Sequence, residues 1–121
     1  MADQRGALGL RGEQVAAAYL ERAGYRVLVR RWRYPGGEID LVLRDATTLV
    51  FAEVRARRAD AGLAAESVGP RKQQRLIRAA YSYLAAHDLG DRVEWRIDVV
   101  AVAFDARGGV RVVHIPGAVE G

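Results

Sequence analysis

Cysteine is missing altogether from this chain of 121 residues. That excludes a disulfide framework and thiolate zinc sites, and it fits a reducing cytoplasm. Lysine is nearly missing: Lys72 is the only one, so the positive charge is almost all arginine. With the abundant alanine, this points to a compositional bias. Under such a bias a surviving lysine has a reason to be there, and an arginine at a lysine-like position can have drifted. Long apolar runs are missing too. No stretch is long enough to span a membrane, and the start, Met1-Ala2-Asp3-Gln4-Arg5-Gly6, lacks an apolar signal segment. No repeat, linker or low-complexity segment interrupts residues 1–121. The expectation is one soluble cytoplasmic domain, without a membrane partner, large enough to bury a single core.

What is present is positive charge. The formal net charge is +4 and the sequence pI about 10.0, which favours a polyanionic partner such as nucleic acid. A basic solubility surface would give the same numbers.

The hydrophobic pattern gives the order αβββαββ. From about Gly9 to Arg22 the chain reads as a helix: Glu13, Ala16, Ala17 and Leu20 fall on one face, and Gly24 stops it. Glu13 therefore sits on an inward stripe, unusual for a carboxylate, although an acid near a helix start also favours the helix dipole. Tyr25 to Tyr34 reads as a strand broken by Pro35-Gly36-Gly37. A hairpin follows. Arg57 to Gly69 reads as a long polar loop. Pro70 opens a second helix that runs to about His87 and is closed by Gly90; its stripe is Leu76, Ile77, Ala80 and Leu84. Val93 to Phe104 is apolar enough for a strand buried on both faces. Gly108-Gly109 turns into a short edge strand, Val110 to Ile115, and the tail from Pro116 to Gly121 reads as loose. Helices flanking a mixed sheet give an α/β domain.

The hairpin carries the chemistry. Its arms, Gly37 to Arg44 and Leu49 to Arg55, alternate and are rich in β-formers, and Asp45-Ala46-Thr47-Thr48 supplies the turn. With the turn centred on Ala46-Thr47, Arg44 faces Leu49, Val42 faces Phe51, Asp40 faces Glu53 and Glu38 faces Arg55. A two- or four-residue loop keeps this pairing, whereas a three-residue loop puts the acids on opposite faces. Directly opposed residues have Cβ atoms roughly 4.5–5.5 Å apart, where like charges repel. Two acids kept there suggest a cation between them. Oxygen ligands of this kind suit Mg²⁺ or Mn²⁺.

These residues resemble the PD-(D/E)xK nuclease superfamily, with Asp40 and Glu53-Val54-Arg55 at the places of its metal-binding carboxylates and acid-x-lysine. Further segments narrow the likeness: Gly12-Glu13 with Ala16 and Ala17, Gly24-Tyr25, Trp32-Arg33, Gly37-Glu38-Ile39-Asp40-Leu41, Pro70-Arg71-Lys72 and Arg96-Ile97-Asp98-Val99-Val100. Together they resemble the bacterial YraN-like family, largely uncharacterised and regarded as endonuclease relatives of Holliday-junction resolvases. The likeness covers about Leu8 to Phe104. It implies a restriction-endonuclease-like core and Mg²⁺ or Mn²⁺ held by Asp40 and Glu53, with Glu13 as the helix glutamate that resolvase-like members add. It also implies polar roles for Lys72 and Gln73 on the second helix, and a homodimer, for which the edge strand is a candidate surface. Arg55 is the departure, since the family normally has lysine there. A lysine can position and deprotonate the attacking water, whereas arginine as a residue type stays protonated and serves to orient phosphate or stabilise charge.

The leading expectation is a metal-dependent phosphodiesterase acting on DNA, with branched and single-stranded forms as candidate substrates. Asp40, Glu53, Arg55 and Glu13 are its catalytic set. Arg30, Arg31, Arg33, Arg57, Arg58, Arg71, Lys72, Gln73 and Arg75 are its nucleic-acid contacts, made to the backbone without reading sequence. Lys72 has a second candidate role, supplying from the helix the amine that Arg55 does not. The rival is a catalytically inactive nuclease-fold module that binds nucleic acid. A third reading is an assembly protein for which charge is incidental. Blander accounts stand beside these: Glu38 and Arg55 as a plain ion pair, Arg71 and Lys72 as exposed basic residues. Asp98 reads as structural, Trp32, Trp95, Tyr81 and Tyr83 as core or core-edge residues, and His87 and His114 as isolated. Trp32, among three arginines, has a base-stacking role as its alternative.

Overall fold

The computed structural model describes residues 4–59 and 68–119. Seven elements follow one another: α1 (Gln4–Arg22), β1 (Arg26–Tyr34), β2 (Gly37–Asp45), β3 (Thr48–Arg58), α2 (Pro70–Ala86), β4 (Trp95–Phe104) and β5 (Val110–Val119). The strands form one mixed sheet in the order β1-β2-β3-β4-β5. Neighbours run antiparallel except β3 and β4, which are parallel. A parallel pair cannot be joined by a tight turn, so the chain leaves the sheet between them and α2 lies on that crossover.

Each helix covers one face. On the α1 side Ala16, Ala17 and Leu20 are fully buried with Leu41, Leu43, Val100 and Val102. On the α2 side Ala79, Ala80, Tyr83 and Leu84 pack with Val42, Phe51 and Ile97. Burying a large aliphatic or aromatic side chain contributes roughly 1.5–3 kcal/mol, so the central strands anchor the fold. From Ile97 to Phe104 every position of β4 is buried, as a strand covered on both faces requires.

The hairpin turn is the two-residue kind. Asp45 pairs with Thr48, and Ala46 takes the left-handed φ of 53° such a turn demands. Several boundaries move. The first helix begins at Gln4, a turn before the expected start near Gly9. The third strand continues through Arg57 and Arg58, expected in a loop, because they pair in parallel with Ala103 and Phe104. The remainder of that expected loop, residues 60–67, lies outside the described residues.

The largest correction is at the C-terminus. The segment expected to be a loose tail after Ile115 is strand as far as Val119, which is buried and pairs with Ile97. Asp98 is the reason. Fully buried, it accepts from Arg96 Nε at 2.9 Å and from the Gly117 amide at 2.9 Å, and lies 2.7 Å from His114 Nε2. Gly117 adopts φ 61° and so delivers its N–H across the register shift between Ile97 and Val99. Arg96 extends the network to the Tyr25 hydroxyl at 2.7 Å. His114 is therefore tied to a buried carboxylate rather than isolated. His87 caps α2, its Nδ1 3.0 Å from the Tyr83 carbonyl and its ring stacked on Tyr83. Trp32 stacks on Tyr34 and meets Tyr83 edge-on, which spends its faces on the protein. Tyr81, expected in or near the core, is exposed with one edge on Trp95.

Candidate functional site

The ladder between β2 and β3 ends at Leu41 and Ala52. One step beyond, where Asp40 was expected to oppose Glu53 directly, Asp40 Oδ2 accepts the Val54 amide at 2.8 Å. Two like charges facing each other in a closed ladder repel. Parted strands and a backbone donor accommodate Asp40 instead. The β2–β3 ladder likewise stops short of Glu38 and Arg55. The backbone partner of Glu38 is Arg33 of β1, and its carboxylate lies 3.3 Å from Arg31 Nε and 3.7 Å from Arg33 Nε. Arg55 is partly buried on β3 and pairs with Ala101 of β4.

The acids remain within electrostatic reach of one another. Burial, then the charge of Glu53, raises the Asp40 pKa to about 7; Glu13 and Glu38 push the same way, and the Val54 N–H acts against them. Glu13 is also raised, chiefly by burial, with Arg31 opposing and Glu38 and Glu53 adding to the rise. Glu13 reaches this region because α1 comes very close to β3. A Cβ at Gly12 would lie 2.6 Å from Ala56 Cβ, so the preceding residue must be glycine for the helix to sit there.

Glu53 alternates along β3 with Leu49 and Phe51, which pack on the α2 side. From α2, Lys72 Nζ comes within 2.7 Å of Glu53 Oε1, and the Glu53 side chain is 12% exposed. The lone lysine of the chain is thus placed on the acid of the Glu53-Val54-Arg55 motif.

Among the described residues, no three His, Cys, Asp or Glu side chains converge closely enough to hold one metal ion. The donor set with the right chemistry is the carboxylate pair Asp40 and Glu53. Mg²⁺ commonly takes one or two protein carboxylates and completes its shell with water and phosphate. A dication would also relieve the repulsion that raises Asp40. The pair has the chemistry for such an ion, and Glu13 lies within electrostatic reach of it.

The basic residues separate into kinds. Arg30 lies 3.7 Å from Glu21. Arg31 and Arg33 pair with Glu38, and Arg31 Nε also lies 3.9 Å from Glu13. Arg71 and Arg75 stand exposed on α2, Arg58 is exposed at the end of β3, and Arg57 is partly buried beside it. Gln73 donates its side-chain amide to the Val68 carbonyl at 2.6 Å and fixes the approach to α2. Two surface clefts, about 570 and 420 Å³, share Ala59 and Asp105 at the C-terminal ends of β3 and β4. Arg111 lines the larger; Arg11 and Arg58 line the smaller.

Residues 12–102 match the model of the uncharacterised protein family UPF0102. The chain belongs to the UPF0102 family. A UPF0102 protein of Roseiflexus castenholzii is 51% identical over 122 residues, covering 99% of this chain and 98% of its own. One of Beutenbergia cavernae is 49% identical over 112 residues, 92% and 94% of the two chains. One of Geobacter sulfurreducens is 45% identical over 114 residues, 93% and 88% of the two. The UPF0102 match begins at Gly12 and so takes in Glu13, Asp40, Glu53 and Lys72. No helix among the described residues is long and apolar enough to cross a membrane.

Proposed function

We propose that this UPF0102 protein is a metal-dependent phosphodiesterase of the PD-(D/E)xK type that hydrolyses DNA. The observation that carries the reading is the 2.7 Å contact between Lys72 and Glu53, beside the raised carboxyl of Asp40. Asp40 and Glu53 would hold Mg²⁺ or Mn²⁺. A bound dication lowers the pKa of a coordinated water and polarises the scissile phosphate. Asp40 Oδ2 is held by the Val54 N–H, and the other oxygen would be the one offered to the ion. Lys72 brings three N–H donors to Glu53, the acid of the Glu53-Val54-Arg55 motif. They can orient an attacking water and, with the Arg55 guanidinium, stabilise charge on the phosphate oxygens. Arg57, Arg58, Arg71 and Arg75 would contact the backbone without selecting a sequence.

One observation favours a second reading. The Lys72 ammonium lies 2.7 Å from Glu53 and by itself balances that charge. A nuclease-fold module that only binds nucleic acid could keep this pair as a permanent ion pair. The deciding experiment is cleavage of labelled single-stranded, duplex, flap and four-way DNA with Mg²⁺ and with Mn²⁺, beside Glu53→Ala. Cutting by the wild type alone supports the nuclease and names its substrate. Salt-dependent binding without cutting supports the module. Equal cutting by both proteins removes Glu53 from the mechanism, and no binding at physiological salt removes nucleic acid altogether.

A further inference from the structure

Arg31 is unlike the other arginines of β1. It is a non-glycine residue in the left-handed region, φ 56°, in the middle of a strand. The register is the same immediately before and after it, with Arg30 against Leu41 and Trp32 against Ile39, which leaves Arg31 at the position across from Asp40. A side chain held in that region is strained, and such strain persists where its surroundings over-determine it. Here the surroundings are acids. Arg31 Nε lies 3.3 Å from Glu38 Oε1 and 3.9 Å from Glu13 Oε1, and its charge is the main influence holding the Glu13 pKa down.

Glu13 lies within electrostatic reach of Asp40 and Glu53, yet among the described residues no three such acids converge on one metal position. Glu13 is also engaged by Arg31. We propose that Arg31 is a resident cation of the acid cluster: it keeps Glu13 apart from Asp40 and Glu53 and competes with a dication for Glu13. This rests on the metal-site reading above. Among the described residues Lys72 then stands on Glu53, and Arg31 on Glu13 and Glu38. With Glu13 given over to a dication, the Arg31 guanidinium, half-exposed already, would be left to turn toward solvent, where a phosphate oxygen could take it. Arg31 is on this view a regulator of metal affinity rather than a standing phosphate contact.

The test is Mn²⁺ binding by the DNA-free protein, read from the electron paramagnetic resonance of free Mn²⁺. Arg31→Gly and Arg31→Asn both suit the left-handed backbone and both remove the guanidinium. Each should bind Mn²⁺ more tightly than the wild type, by about fivefold or more. In Arg31→Gly, adding Glu13→Gln should abolish that gain. If the arginine variants bind equally or more weakly while Asp40→Asn still loses the metal, Arg31 is no competitor and the proposal fails with the metal site intact. Absence of Mn²⁺ binding in every protein, wild type included, overturns the metal reading and this inference together.

Discussion

Lys72 on α2 and Glu53 on β3 form a 2.7 Å ion pair that joins the helix to the sheet at the acid cluster. A helix contributes this amine, while the strand position two residues after Glu53 carries arginine. In the mechanism proposed above, the position of the ammonium group in space matters more than the strand from which it comes.

The first expectation concerns that group. Lys72→Ala should lower kcat for DNA cleavage by about 10²–10⁴-fold, the usual range for a group that orients or transfers a proton. Binding to DNA should fall far less. Arg55→Lys in the same background should restore part of the rate, because it returns an ammonium group to the same acid. Steady-state cleavage and fluorescence anisotropy on the same oligonucleotide separate the two effects, and unchanged turnover would reject the role of Lys72.

Asp40 gives a pH dependence of definite sign. Its pKa rises from 3.8 to about 7 in the folded protein, through burial first and Glu53 second. Between those values the native state holds a proton that the unfolded chain has lost. Stability should therefore fall as pH rises through that window and level off above it, by on the order of 2 kcal/mol after solvent screening. Asp40→Asn should flatten the profile of denaturation midpoint against pH. Mn²⁺ added at pH 8 should stabilise the wild type and leave Asp40→Asn unmoved. A wild-type profile that rises from pH 5 to pH 8 would contradict the assignment.

Gly12 sets how closely α1 lies on β3. A methyl group there meets Ala56 Cβ at 2.6 Å, so Gly12→Ala must push the helix off the sheet. Overpacking of this kind costs roughly 1–3 kcal/mol. Glu13 would move with the helix. Thermal unfolding should show the loss, and compensating truncation through Ala56→Gly should recover part of it.

Asp98 holds the C-terminal strand. Replacing it with alanine leaves the Gly117 amide and the Arg96 guanidinium without their buried acceptor, a loss of about 3–5 kcal/mol for a broken buried charge pair. Hydrogen exchange should show residues 112–119 opening first. Protection there equal to the wild type would mean that β5 is secured by its ladder alone.

Much of this was legible from the amino-acid order. The acidic hairpin declared itself through alternation and turn chemistry, and its pairing from Arg44 with Leu49 to Val42 with Phe51 follows from the turn centre. The end of that ladder did not, because alternation does not reveal a side-chain bond such as that of Asp40 to the Val54 amide one step beyond it. Arg31 was legible as one of three neighbouring arginines but not as a residue in the left-handed region. The C-terminal strand was hidden by Pro116 and Gly117, local signals for a break. The compensating bond to Asp98 is a contact between residues far apart in the sequence. Arg96 and Asp98 lie two apart and share a strand face, which could have suggested a pair. His114 joins them through the β4–β5 register, which periodicity alone does not specify.

The parallel pairing of β3 with β4 orders events in time. The β1–β2–β3 meander needs only short loops, whereas β4 can pair with β3 only after a crossover running from Arg58 to Trp95 has closed. During folding, then, Asp40 and Glu53 meet before the ammonium that balances Glu53 has arrived. The nascent meander carries an unneutralised acid pair, and docking of α2 is the step that relieves it. Refolding should accordingly be fastest near pH 5, where protonation can substitute for the missing cation, and Lys72→Met should slow refolding at pH 8 more than at pH 5 in stopped-flow fluorescence.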